Sequence, residues 1–198
     1  MKLTSPGVPD LYQGTELWDF SLVDPDNRRP VDYGQRQTLL KDLKTRLEQS
    51  PRELVPLARE LLDQSQDGRI KLYLTYRTLN FRRAHPRLFA ESSYHPLEAQ
   101  GEKGEHVCAL ARFLDKEGII VTVPRLVVGL TGGKEQPPME EEIWKDTWLT
   151  LPQEWGGRRF RNLFTGEECS AKKKGKDPGI PLSQVFRNFP VALLEREE

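Results

Sequence analysis

Residues 24 to 29, Asp-Pro-Asp-Asn-Arg-Arg, crowd carboxylates, a carboxamide and two guanidinium groups into one short stretch. Asp24 and Asp26 accept hydrogen bonds, Asn27 accepts and donates, and Arg28 and Arg29 offer rigid forks of donors. That mixture suits a polyhydroxylated ligand, and the forks also suit a catalytic carboxylate. Just upstream, Tyr12 and Trp18 supply apolar faces on which a pyranose ring can pack. A structural use of the same residues competes. Arg28 or Arg29 can pair with Asp24, Asp26 or Asp32, Tyr12 and Trp18 can be packing residues, and Glu16 is expected to orient loop groups rather than touch sugar.

These acids do not make a catalytic pair by themselves. Retaining glycosyl transfer needs two carboxylates about 5 Å apart across the scissile bond. Asp24, Asp26 and Asp32 share one loop, which cannot fix such a pair without a scaffold opposite. His85, His95 and His106 lack ligand-like spacing, so no metal site is expected. Cys108 and Cys169 form no pattern, which points to a reducing compartment and hence the cytoplasm. Cys108 reads as a small face residue of a strand.

The chain has 198 residues, of which 30 are basic and 30 acidic, so no global field draws it to nucleic acid or an anionic membrane. No apolar run reaches membrane-spanning length, and the proline-broken N-terminus does not read as a signal peptide. Arg82, Arg83 and Arg87, and the lysines from 172 to 176, read as solvated surface.

Stepwise along the chain, residues 5 to 33 are irregular yet rich in Leu11, Tyr12, Leu17, Trp18, Phe20 and Leu22, so they read as a functional loop. Leu39, Leu40, Leu43 and Leu47 then mark one face of a helix, and Leu54, Leu57, Leu61 and Leu62 mark a second. Ser50-Pro51 separates them, and Asp67-Gly68 makes a turn. Residues 69 to 83 fit both periods; their length decides for helix, with Ile70, Leu74, Thr78 and Phe81 inward. His85-Pro86 breaks the pattern. From about residue 88, short β-branched runs follow: HVCALARFLD, GIIVTVPRLVVGL, TWLTLP, RRFRNLFTGEE and FPVALLE, with a turn at Thr165-Gly166. They predict an antiparallel β-sandwich. GGKEQPPMEEE and SAKKKGKDPG read as its exposed loops.

Gly7 to Glu16, GVPDLYQGTE, fits G-x-P-x-x-Y-x-G-x-E. It resembles the segment after the eighth barrel strand in the α-amylase superfamily (glycoside hydrolase family 13), built on a (β/α)8 TIM barrel. The continuation ELWDFSLVDPDNRRPVDY resembles the maltooligosyltrehalose synthases within it, as do LYLTYRTLNFRRAHPRLF, YHPLEAQG and FPVALL. The resemblance implies an isomerase of trehalose biosynthesis. It converts the reducing-end α-1,4 bond of a maltooligosaccharide to an α,α-1,1 link and acts with a partner hydrolase. It implies substrate-binding roles for Tyr12, Gln13, Glu16, Asp24, Asp26, Asn27, Arg28 and Arg29, and no organic cofactor.

The family's catalytic carboxylates follow the fourth, fifth and seventh barrel strands, and a barrel takes about 250 residues. The expectation is an α+β fragment. Residues 1–87 would end a catalytic barrel (eighth strand, substrate loop, helices) and residues 88–198 would form a C-terminal β-sandwich domain. Such a fragment lacks the N-terminal barrel portion, holds no catalytic residue and is inactive alone. Its helical stripes would be covered by the sandwich or by a second copy, which makes self-association an expected partner state. The alternatives are an enzyme of the same superfamily with another outcome, such as hydrolysis or a trehalose- or sucrose-type transfer, or a non-catalytic β-sandwich module that binds glucan or a protein partner.

Overall fold

The computed structural model describes residues 1–22, 29–139 and 141–197. Residues 1 to 22 carry turns and bends but no strand. The first helix, α1 (Tyr33–Gln49), starts where Asp32 Oδ1 accepts from the Gln35 amide at 2.8 Å, satisfying an N-terminal donor that no helical carbonyl reaches. It ends at Ser50, before Pro51. Helix α2 (Val55–Asp63) takes a proline in its first turn, where the missing amide costs nothing. A short 3-10 turn at Ser65–Asp67 and Gly68, at φ 79°, lead into α3 (Arg69–Ala84). The helical reading of residues 69 to 83 holds, but the buried face runs through Leu72, Tyr73, Thr75, Thr78 and Phe81, with Ile70 and Leu74 only partly covered. His85-Pro86 starts another helix instead of only breaking one: α4 (Pro86–Glu91).

The remainder is built on antiparallel strands: β1 (Ser93–Leu97), β2 (Ala99–Gln100), β3 (Val107–Leu114), β4 (Glu117–Pro124), β5 (Trp148–Thr150), β6 (Arg159–Asn162), β7 (Glu168–Ser170), β8 (Lys172–Lys174), β9 (Asp177–Pro181) and β10 (Ala192–Arg196). Short helices α5 (Val127–Thr131), α6 (Glu141–Trp144) and α7 (Leu182–Val185) lie between them. One sheet runs β1-β3-β4-β10-β6-β7 and the other β2-β5-β9-β8. The long β3–β4 hairpin sets the register, with Leu110 opposite Val121 and Ala111 opposite Ile120. Pro96 sits in β1, at the edge of the larger sheet, where a missing ladder donor is tolerated.

Burial is continuous along the middle of β3 and β4, so both faces of the larger sheet are covered. On one face Leu110, Ile119, Val121 and Leu193 share a core with Leu43, Leu57, Leu61, Leu72, Tyr73 and Phe81 of the helices. On the other, Ala109, Ala111, Ile120 and Leu194 join Leu149 and Ile180 of the smaller sheet, around Trp144, Trp155 and Phe160. The helical stripes are thus covered within the chain.

Helices and sheet are also joined by hydrogen bonds at the segment between β6 and β7. Tyr73 Oη donates to the Phe164 carbonyl at 2.7 Å, Arg77 to the Leu163 carbonyl at 2.7 Å, and the Leu54 amide to the Thr165 carbonyl at 3.2 Å. The Thr165-Gly166 turn is where the sequence puts it, with Gly166 at φ 75°.

Two expectations for loops and strands need correction. SAKKKGKDPG is a hairpin, β8 and β9, rather than a loop; Lys172, Lys173 and Lys174 form an edge strand, where charge blocks pairing with another chain. VVGL after Pro124 is helix α5 rather than strand, because Leu126 at φ 52° turns the chain out of the sheet.

Burial pushes the Cys169 thiol from 9.0 up to about 12 and the Tyr73 phenol from 10.0 up to about 12. In the unfolded chain both groups release their protons earlier. Above pH 9, therefore, the unfolded state binds fewer protons than the folded one, and stability falls as pH rises. Each group contributes about 1.4 kcal/mol per pH unit across its window, 9 to 12 for Cys169 and 10 to 12 for Tyr73. Denaturant melts from pH 8 to 11 should show this decline, and Cys169→Ala should remove the part that begins at pH 9. A flat profile in the parent chain would contradict it.

Candidate functional site

Residues 1 to 22 are irregular, so their backbone carbonyls lack ladder partners and must find donors elsewhere. Basic side chains of the helices and the sheet provide them. Arg82 of α3 donates to the carbonyls of Leu3 and Gly7, and Arg112 of β3 to that of Thr4 at 3.2 Å. Lys71 Nζ reaches the Leu17 carbonyl at 3.0 Å, and Arg36 reaches that of Gly14. Arg82 is therefore a structural anchor, not the solvated charge that its position in the sequence implies. Burial pulls the Lys71 ammonium below its usual range, while Asp19 and Glu16 raise it.

Within this frame the glycines of the decapeptide have different duties. Gly14 has φ 88°, and a Cβ there would stand 2.9 Å from Val31 Cγ2, so this close turn against the loop's return excludes a side chain. Gly7, at φ 94°, has open space around it.

Loop and helix together line a polar cleft of about 310 Å³, formed by Gln13, Gly14, Trp18, Asp19, Ser21, Arg29, Pro30, Val31, Asp32 and Arg36. Of the residues given substrate-binding roles in the sequence, Gln13 and Arg29 line it, together with the aromatic candidate Trp18 and the loop acid Asp32. Gln13 Oε1 accepts from Tyr33 Oη at 3.2 Å. Glu16 lies beside it, its carboxylate 3.1 Å from Arg36 Nε. Tyr12 does not line the cleft; the residue is 65% exposed, and its carbonyl accepts from the Thr15 amide and hydroxyl. Asp24, Asp26, Asn27 and Arg28 lie outside the described residues.

Trp18 lines the cleft with its ring partly engaged. Its indole N–H donates to the Ser65 carbonyl at 2.6 Å, and Lys71 Nζ sits 5.6 Å from the ring centroid. The two carboxylates that line the cleft already have partners. Asp19 Oδ1 accepts from the Ser21 hydroxyl at 2.6 Å and amide at 2.9 Å, which holds its carboxyl below the usual range, and Asp32 caps α1. The cleft can therefore bind and orient hydroxyl groups, through Gln13, Arg29 and Asp19, but it holds no pair of uncommitted acids among the described residues.

Arg36 is the residue that sequence reasoning missed. Its guanidinium joins Glu16, the Gly14 carbonyl and the Asp32 carbonyl, the last at 3.1 Å. Its place one turn after the cap residue Asp32 was the available signal. Among the described residues no group of His, Cys, Asp and Glu is placed to hold a metal ion. No described helix is long and apolar enough to cross a membrane.

No protein-family profile matches the chain. Over 197 residues, the whole of this chain, it is 38% identical to putative maltooligosyl trehalose synthases of Mycobacterium tuberculosis, strains CDC 1551 / Oshkosh and ATCC 25618 / H37Rv. Its fold matches maltooligosyltrehalose synthase from Arthrobacter ramosus with a TM-score of 0.68 at 34% identity, over 99% of this chain and 21% of that one. A crystal structure of a maltooligosyl trehalose synthase matches with a TM-score of 0.58 at 30% identity, over 98% of this chain and 20% of that one. The chain spans about a fifth of the length of the curated relatives that it matches, 20% in each case.

Proposed function

We propose that this chain forms the C-terminal part of a maltooligosyltrehalose synthase, in which it builds one wall of the glucan site. The observation that carries the reading is similarity along the whole chain, 38% over 197 residues, to proteins of which it spans only 20%. In this reading residues 1–87 end the catalytic TIM barrel and residues 88–198 form a β-sandwich domain. The substrate is a maltooligosaccharide, and the reaction is the isomerisation of its reducing-end α-1,4 bond to an α,α-1,1 link, in the cytoplasm.

The chemistry of the cleft supports this division of labour. Gln13, Arg29 and Asp19 present donors and acceptors suited to sugar hydroxyls, together with the face of Trp18. Asp24, Asp26, Asn27 and Arg28 lie outside the described residues, and their proposed substrate contacts rest on their side-chain chemistry in the sequence alone. Tyr12, next to Gln13 in the chain and exposed, offers an aromatic face to the same ligand, and Glu16 acts through Arg36. The nucleophile and the acid/base would come from the remainder of the synthase. A wall of this kind orients the glucan and excludes water while the reducing-end glucose is re-attached.

A second reading, a free-standing module that binds glucan or a protein partner without chemistry, draws on the covered helical stripes, since both cores close within the chain. One experiment separates the two. Antibody against residues 90 to 198 reports the mass of the native polypeptide, and the purified native protein is assayed with maltopentaose. We expect a polypeptide several times heavier than 22.8 kDa that forms a trehalose-capped product, while the isolated 198-residue chain forms none. A native polypeptide of the smaller mass, without isomerase activity on its own, would overturn the first reading in favour of the second.

A further inference from the structure

Arg36 bonds to two parts of the cleft's lining, the turn at Gly14 and the start of α1 at Asp32. Its Nε meets Glu16 Oε2 at 3.1 Å, its Nη2 meets the Gly14 carbonyl, and its Nη1 meets the Asp32 carbonyl at 3.1 Å. The side chain is only 17% exposed. A guanidinium is planar, so its acceptors are locked together, which fixes the Gln13–Glu16 turn against the start of α1. Val31, which packs on Gly14, and the Gln13–Tyr33 bond lie in the same seam.

We infer that Arg36 is a positioning residue of the glucan site. It acts through Glu16 and the Gly14 carbonyl on Gln13, and through the Asp32 carbonyl on the stretch that carries Arg29, to set where the two stand along the cleft. This rests on the proposed synthase function. Lysine keeps a charge beside Glu16 but cannot meet three acceptors in one plane, so the posture of the turn depends on the fork and not on charge alone.

The test uses the complete native polypeptide that contains this chain, with Arg36→Ala, Arg36→Lys, Glu16→Gln and the double variant Arg36→Ala/Glu16→Gln. Arg87→Ala, at an exposed pair with Glu91, is the control and should match the parent. With maltopentaose, Arg36→Ala should lower kcat/KM on the order of 10- to 100-fold, the scale of a misplaced site wall. Arg36→Lys should restore part of that loss. The double variant should be no worse than Arg36→Ala by more than about 2-fold, because coupled residues are not additive. Melting curves and activity per folded molecule, both at one temperature, guard against loss of folding. Arg36→Ala with a lower Tm but unchanged kcat and KM would overturn the inference, leaving Arg36 merely structural. Additive effects in the double variant would overturn the route through Glu16. A parent protein without isomerase activity would overturn the functional reading and this inference with it.

Discussion

Replacing Gly166 with alanine is expected to lower stability by about 4 kcal/mol, one of the two largest effects foreseen for a single substitution in this chain. Two causes add. The backbone stands at φ 75°, which costs an L-residue about 1–2 kcal/mol. The new Cβ would also lie 1.9 Å from the carbonyl oxygen of Arg52 and 2.9 Å from its carbon, and those are backbone atoms that cannot rotate away. Relief requires the link between α1 and α2 to part from the β6–β7 turn, which breaks the Leu54–Thr165 hydrogen bond as well. For a chain of this size the loss corresponds to a fall in Tm of roughly 10 °C. Gly157→Ala separates the causes, since Gly157 has φ 75° with nothing within 4 Å of a Cβ. It should show only the backbone part. Equal shifts for the two variants in thermal melts would refute the clash.

The second large effect belongs to Arg112, which is 2% exposed. Its Nε donates to Ser92 Oγ at 3.0 Å, its Nη1 to the Thr4 carbonyl at 3.2 Å and its Nη2 to the Phe89 carbonyl at 2.8 Å, with the Phe89 ring 5.4 Å from its carbon. Burial holds this guanidinium below its usual range, and neighbouring Arg82 lowers it further. Carbonyl dipoles and an aromatic face stabilise the charge. Arg112→Leu removes all three donors and leaves two buried carbonyls unanswered, at about 1–3 kcal/mol each, so a total loss of about 3–5 kcal/mol is expected. The N-terminal turn should loosen first, because Thr4 loses its tie to β3. Limited proteolysis should then cut within residues 2 to 9 well before the sheets. A variant that melts like the parent and resists cleavage there would show that the carbonyls find other donors.

Much of the helical layer was legible because punctuation and period agreed. Ser50-Pro51 and Asp67-Gly68 bound helices whose leucines recur at helical spacing, whereas the cap at Asp32 reads in the sequence only as a loop acid. Helix α4 was not, since a proline that stops one helix equally well opens the next. The lysines of β8 hid a strand because an edge strand needs only backbone partners on one side and no buried side chain. Leu126-Val127-Val128 read as strand from β-branching alone, whereas the turn at Leu126 is imposed by the surrounding fold.

The candidate site divides along similar lines. Side chains that would meet a ligand, such as Gln13 and Arg29, belong to one sequence segment and can be read together. What holds them cannot. Arg36, Lys71, Arg82 and Arg112 act on backbone carbonyls far along the chain, and every residue type carries the same carbonyl, so the sequence does not mark which ones are used.

That mode of fastening has a consequence for how the segment can vary. Because the cations grip carbonyls, the hydrogen bonds that hold residues 3, 4, 7, 14 and 17 do not themselves depend on side chains, although Leu3, Thr4 and Leu17 are also fixed by burial. Gly7 and Gly14 are held as glycine by their positive φ, 94° and 88°, and Gly14 also by the space beside Val31. Ligand preference and backbone course are thereby separable properties. In the proposed synthase, a library that randomises Tyr12 and Gln13 while keeping Arg36, Lys71, Arg82 and Arg112 should change which sugars are accepted and leave the course of the loop intact.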